Sequence, residues 1–188
     1  MTTLERVNSG NPFEAHPVLR TIFAGDRGKH VEQDTVDDLA KGVADLYGNH
    51  IYMIRDEQGE VIGITGFYKP GVGNGAVDTL ALRWHGVAPT HRGRGHSEQG
   101  FEAVCKEALQ VHPHAARLVE LVPMADANNA KALIAYFERL GFSKDGLERD
   151  AKTFPVAAAL PVDSGNWQAM VFRLKPKEPL HWVGKGIV

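Results

Sequence analysis

Apolar positions along the chain switch between a period of about two and one of about 3.6, and the switches mark the elements. Thr2 to Val7 reads as a short first strand, and Asn8 to Asn11 is turn material. His16 to Ala24 is expected as a short helix ending near Gly25, with Pro17 in its first turn. Val36, Leu39, Ala40, Val43, Leu46 and Tyr47 recur at helical spacing, with Asp34 or Thr35 to cap the start and Gly48 to end it. His50 to Arg55 and Val61 to Tyr68 read as strands joined by a glycine-containing hairpin connection, Asp56 to Glu60. Pro70 to Gly75 is a glycine-rich loop, and Ala76 to Val87 is the longest strand candidate. Glu98 to Gln110 is an amphipathic helix that buries Phe101, Val104, Cys105, Ala108 and Leu109 and is stopped by Pro113. Leu118 to Val122 is another apolar strand. Asp126 to Asn129 supply cap chemistry for a helix from Ala130 to Leu140, which turns Leu133, Ile134, Phe137 and Leu140 inward and closes on Gly141. The pattern after Phe142 is irregular until a last strand, Trp167 to Leu174.

Strands and helices in this alternation predict an α/β (α+β) sandwich. One domain is expected over residues 1–175, with 176–188 as a C-terminal tail. Composition changes this picture little. Of 188 residues, 43% are hydrophobic and 23% charged, as in ordinary globular proteins. A net charge of −2 gives no general field for nucleic acid or acidic membranes, so neither is expected as a partner. No apolar run approaches the ~20 residues of a membrane span, and Met1 to Phe13 does not resemble a signal peptide. The single cysteine excludes an internal disulfide, and a cytoplasmic protein is expected.

The strongest chemical signal is Val87-Ala88-Pro89-Thr90-His91-Arg92-Gly93-Arg94-Gly95-His96-Ser97. A strand, a glycine-rich turn and a helix start in that order make an anion site. Glycines let the backbone approach closely, and the first-turn amides have no partner inside the helix. The helix start adds roughly half a positive charge, and Arg92 and Arg94 add mobile cations beside it. A phosphate or pyrophosphate is the expected ligand.

Arg92, Gly95 and Ser97 also fall on a motif, Arg/Gln-x-x-Gly-x-Gly/Ala after a strand ending in Val-x-Pro, here Val87 and Pro89. With this motif the chain resembles the Gcn5-related N-acetyltransferase (GNAT) superfamily, although Ser97 stands where Gly or Ala is usual. A second match runs from Asn128 or Asn129 through Ala130-Lys131-Ala132 to Tyr136-Phe137-Glu138-Arg139-Leu140-Gly141-Phe142. The resemblance implies a mixed, mostly antiparallel central sheet flanked by helices, and a family order of elements that the pattern above follows. It implies acetyl-CoA as co-substrate, bound by Val87, Ala88, Arg92, Gly93, Arg94, Gly95, His96, Ser97, Asn128 and Asn129. Transfer to a primary amine by direct attack in a ternary complex is then expected, with a small-molecule acceptor favoured over a protein lysine or N-terminus. A CoA-binding module without catalysis is the alternative.

A lysine-like amine has a pKa near 10.4, so presenting it neutral at pH 7 costs roughly 4–5 kcal/mol and a base helps. His85, two residues before Val87, shares its face if the strand is regular, and is the first candidate. Glu120 and Asp78 are rivals. Tyr136 is the candidate acid for the departing thiolate, but it stands five residues before Gly141, and Phe137 holds the usual tyrosine position. His91 and His96, and His112 and His114, lack carboxylate or cysteine at zinc-like spacing, so no metal is expected. Cys105 reads as core. Ala151 to Asn166 is too apolar for a free loop and too broken by proline for a helix; the resemblance implies that it borders the acceptor side, so it is expected to wall the acceptor pocket or to make a homodimer contact.

Overall fold

The protein is described from a computed structural model, which covers residues 2–7, 17–18, 21–22, 50–69, 79–124, 126–150 and 166–174, with side chains to 144 and again from 168. The expected helix Val36–Tyr47, the loop Pro70–Gly75, Asp78, the segment 151–165 and the tail 176–188 lie outside the described residues. Of the expected helix His16–Ala24, residues 17–18 and 21–22 are helical, and Thr21 Oγ1 donates to Val18 O. The chain divides into two compact units, one of Met1–Lys69 with Leu82–Val111 and one of Pro70–Ala81 with His112–Val188.

The first unit is an antiparallel meander with a helix on it. β1 (Thr3–Arg6) pairs with β2 (His50–Arg55) from Thr3↔Arg55, and β2 pairs with β3 (Val61–Tyr68) from His50↔Phe67. The hairpin between β2 and β3 is closed by the Asp56 carboxylate, which accepts from the amides of Gln58 and Glu60. Met53, Ile54, Ile62, Ile64 and Phe67 are fully buried, as an apolar run on covered strands requires. The helix α1 (His96–Val111) begins two residues before the periodic stripe suggested and buries Gly100, Phe101, Val104 and Ala108. Gly100 sets its closeness to the sheet. A Cβ there would lie 2.7 Å from Ile54 Cδ1, so a larger residue at this depth requires the end of the Ile54 side chain to shift.

The expected long strand is divided. β4 (Thr79–Leu82) ends, residues 83–85 leave the ladder, and β5 (Gly86–Val87) resumes antiparallel to β3 at Gly63↔Val87 and Ile64↔Gly86. The break is at Trp84, whose φ of +50° lies in the left-handed region that costs an L-residue roughly 1–2 kcal/mol. The Arg83 guanidinium lies 3.9 Å from the Trp84 ring centroid, and Arg83 N donates to Gly66 O. The regular alternation that would have put His85 and Val87 on one strand face is therefore lost.

In the second unit, Thr79–Ala81 of β4 runs parallel to β6 (Arg117–Pro123), in register at Leu80↔Leu118. β6 pairs antiparallel with β8 (Asn166–Arg173), and β8 with β7 (Ser143–Asp150). β7, Ser-Lys-Asp-Gly-Leu-Glu-Arg-Asp, lacks an apolar alternation, and its pairing with β8 shifts register between Lys144 and Glu148. Helix α2 (Ala127–Arg139) packs Ala130 and Phe137 inward. It ends in a Schellman motif: Phe142 N donates to Phe137 O and Gly141 N to Glu138 O, with Gly141 at φ +93°. The ring of Phe142 meets that of Phe137 at 5.3 Å, the apolar contact that accompanies this cap. No described helix is long and apolar enough to cross a membrane.

Candidate active site

After β5 the chain makes one 3₁₀ turn, Pro89–His91, and then passes through two left-handed glycines into α1. Gly93 has φ +73° and Gly95 φ +78°, conformations that glycine adopts without penalty. Arg92 Nε donates to the carbonyl of Val87 at 3.1 Å and so clamps the turn to the end of β5. Gln99 N donates to Gly95 O, the first bond of the α1 ladder, so the amides before Gln99 lie outside that ladder. Arg92, Gly93, Arg94 and Gly95 are exposed, while Val87 and Ala88 are buried beneath them. The arrangement presents backbone donors and two guanidinium groups around one glycine-lined turn.

Three expected cofactor residues carry further ties. His96 Nδ1 lies 3.2 Å from Thr2 Oγ1, which donates to Gln99 Oε1 at 2.6 Å, so the residue just before β1 braces the first turn of α1. Nothing in the spacing of the sequence signals this contact across more than ninety residues. Asn128 and Asn129 stand exposed at the start of α2, and their amides both donate to the Asp126 carboxylate. That cap occupies the backbone donors of both residues.

His85 departs from the base expected of it. Its ring is buried; Nδ1 lies 2.9 Å from Thr65 Oγ1 and Nε2 lies 3.2 Å from Ser97 Oγ. Phe101 packs against it edge-on at 5.6 Å. Burial pushes its pKa down to about 4, with the Ser97 backbone raising it slightly. A histidine in that state is neutral through pH 7 with both nitrogens engaged, so it does not supply a base titrating near 6.5.

Glu120 is half-buried on β6, opposite Met170, between Val119 and Leu121 on a strand otherwise covered. A carboxylate so placed is not the solvated strand residue that sequence alone would favour. On α2, Phe137 turns into the core, and Tyr136, one position earlier, is half-buried with the Arg139 guanidinium 5.8 Å from its ring centroid. The usual tyrosine position is thus filled by a ring without a hydroxyl. Cys105 is half-buried, and burial, then Glu102, pushes its thiol pKa up to about 12, which suits a core residue and not a nucleophile. Asp56, Glu60 and His91 bring one donor atom each within 4.8 Å of one another, a juxtaposition that residue spacing hides. Glu60 there is exposed, and the Asp56 carboxylate already closes the hairpin.

Comparison with known proteins defines the class. The acetyltransferase (GNAT) family model matches residues 17–142. The chain belongs to that family, and the enzyme class is an acetyl-CoA-dependent N-acetyltransferase. No curated protein sequence matches it. Similar solved structures include a spermidine N-acetyltransferase SpeG chimera from Vibrio cholerae and hSSAT, at 14% identity and TM-score 0.65 over 93% of this chain and 96% of that one. The Vibrio cholerae spermidine N-acetyltransferase in complex with CoA and spermine is 15% identical, TM-score 0.60, over 92% and 95%. RimL, a ribosomal L7/L12 α-N-protein acetyltransferase in complex with coenzyme A, is 14% identical, TM-score 0.64, over 92% and 93%. At these identities the likeness is one of fold: mixed, mostly antiparallel strands flanked by helices.

Proposed function

We propose that the protein transfers an acetyl group from acetyl-CoA to the primary amine of a small molecule, by direct attack in a ternary complex. The observation that carries the reading is the turn from Arg92 to Ser97, with left-handed Gly93 and Gly95 opening onto the start of α1. The CoA pyrophosphate binds the amides of Gly93 to Ser97, with Arg92 and Arg94 beside it. A backbone N–H near Val87 polarises the thioester carbonyl. Residues 1–175 are read as one acetyltransferase domain around the family match over 17–142, with 176–188 as a tail.

The attacking amine must be neutral. With His85 neutral and engaged, Glu120, half-buried on β6, is the base of choice. Tyr136 protonates the leaving thiolate. A thiol pKa near 8.5 makes that help useful and not obligatory. A small amine is favoured by likeness to the spermidine enzyme bound to CoA and spermine, and by a net charge of −2 that offers no basic surface for an acidic macromolecule. No metal is required by this chemistry, and a single cysteine fits a cytoplasmic enzyme.

The test is release of free thiol from acetyl-CoA against a panel of polyamines, amino-sugar amines, lysine peptides and free protein N-termini. Turnover on a small amine is expected. Turnover only on peptides would transfer the reading to a protein acceptor. CoA binding without any turnover would make the chain a CoA-binding module.

A further inference from the structure

Gln99 is the fourth residue of α1 and lies outside the motif that marks the turn, yet its side chain reaches back over Gly95. We propose that Gln99 is a further ligand of the CoA pyrophosphate, its side-chain amide donating to the phosphate oxygens, and that Thr2 is the positioning residue that holds it there. The inference rests on the reading of residues 92–97 as the CoA site.

The polarity of the contact is fixed by the backbone. Thr2 N lies 3.2 Å from Gln99 Oε1, and a backbone N–H can only donate, so the carbonyl end of the amide faces Thr2. Thr2 Oγ1 donates to the same oxygen at 2.6 Å. Two donors fill the two lone pairs of Oε1, and the Nε2 end of the planar amide points the other way. A helical side chain leans toward the N-terminus of its helix, over the residue four positions earlier. For Gln99 that residue is Gly95, whose carbonyl accepts from Gln99 N. A Cβ built on Gly95 would find Nε2 3.9 Å away, and no other atom beyond its own chain neighbours within 4 Å. The amide nitrogen therefore stands at the open side of a left-handed glycine within the proposed anion site. Thr2 is buried and leads into β1, which pairs with β2 from Thr3↔Arg55, so the grip on Gln99 comes from the sheet. An exposed glutamine ordinarily samples several rotamers, and ordering it on binding costs entropy. Held by two bonds, Gln99 has less of that freedom to lose.

A strut between Thr2 and α1 would be served equally by glutamate, whose oxygen accepts the same two bonds, whereas a phosphate ligand would not. The experiment therefore compares Gln99→Glu, Gln99→Ala, Thr2→Val and the double variant Thr2→Val/Gln99→Ala, with Gly95→Asp as a control. Each is titrated calorimetrically with CoA and with dephospho-CoA, which keeps the pyrophosphate and lacks the 3′-phosphate. Gln99→Ala is expected to weaken CoA about tenfold, the order of one hydrogen bond to a charged group. Gln99→Glu should weaken it further, because it sets a carboxylate oxygen where the amide nitrogen stood, while its urea midpoint stays near that of the native protein. Thr2→Val, which keeps the backbone donor, is expected to cost about threefold. The double variant should bind no more weakly than Gln99→Ala, because Thr2 acts through Gln99. Losses should be equal for the two ligands, and KM for acetyl-CoA should rise while kcat at saturation holds. Native affinity in Gln99→Glu overturns the inference and leaves the contact a strut. A loss that disappears with dephospho-CoA, or additive losses in the double variant, also overturns it. If Gly95→Asp leaves CoA affinity intact, the turn itself is not the CoA site; if only Gly95→Asp weakens it, the turn stands and the Gln99 role falls.

Discussion

Arg92 Nε and the carbonyl oxygen of Val87 are 3.1 Å apart, so the cation that flanks the glycine turn also closes it against β5. This double duty needs the planar guanidinium, since a lysine ammonium is a point charge on a flexible stem. Arg92→Lys is therefore expected to weaken CoA about tenfold although the charge is kept. Arg94→Lys is expected to change affinity less than threefold. Calorimetric titration of both variants with CoA checks the contrast, and equal effects would mean that Arg92 acts by charge alone.

The depressed pKa of His85 fixes a pH dependence of stability. In the fold the ring stays neutral down to about 4, while in the unfolded chain it takes up a proton near 6.5. Between those values the unfolded state binds more protons, so stability falls as pH falls. The contribution is fully present above about 6.5 and is lost progressively toward 4, with about 3 kcal/mol as its upper bound. Urea unfolding of the native protein and of His85→Gln at stepped pH should show the gap between them narrowing as pH drops from 6.5 to 4. A gap that does not change with pH would mean that folding leaves the proton affinity of His85 unaltered. The same pKa predicts that no limb in kcat/KM between about pH 6 and 7.5 is removed by His85→Gln, whereas Glu120→Gln should lower kcat.

Gly100 predicts a stability change against helix propensity. Alanine favours a helix interior by about 1 kcal/mol over glycine. Here its methyl would stand 2.7 Å from Ile54 Cδ1, in the cluster of Ile54, Ile62 and Val87. Gly100→Ala is expected to cost about 1–3 kcal/mol by overpacking, and Ile54→Val in the same chain to recover part of that loss. Denaturant midpoints of the single and double variants measure it. A more stable Gly100→Ala would show that the Ile54 side chain makes room at no cost.

Much of this was legible in the residues, and the failures have physical causes. β2 and β3 were bounded correctly because compact apolar runs flank a turn whose aspartate closes it. The end of α2 was legible because Gly141 is the residue a left-handed cap demands. The left-handed turn ahead of α1 was legible because Gly93 and Gly95 are residues that such a turn demands. β7 was missed because a polar strand draws its order from pairing with β8 and has no period of its own to read. The break at Trp84 lay hidden in an apolar run that reads as continuous strand. The setting of His85 is illegible for a related reason: it depends on Thr65, twenty residues away, and on burial that no local pattern reveals.

The central claim is that the turn from Gly93 to Ser97 binds the CoA pyrophosphate, and Gly95→Asp tests it most directly. The left-handed φ of +78° there is one that aspartate tolerates better than most residues, and an added Cβ would meet only Gln99 Nε2, at 3.9 Å, so the fold should survive. What changes is a negative charge set among the donors meant for phosphate. Calorimetric titration of CoA should give binding to the native protein and at least a hundredfold loss in Gly95→Asp, on the order of 3 kcal/mol. A folded Gly95→Asp variant that binds CoA as tightly as the native protein would contradict the account.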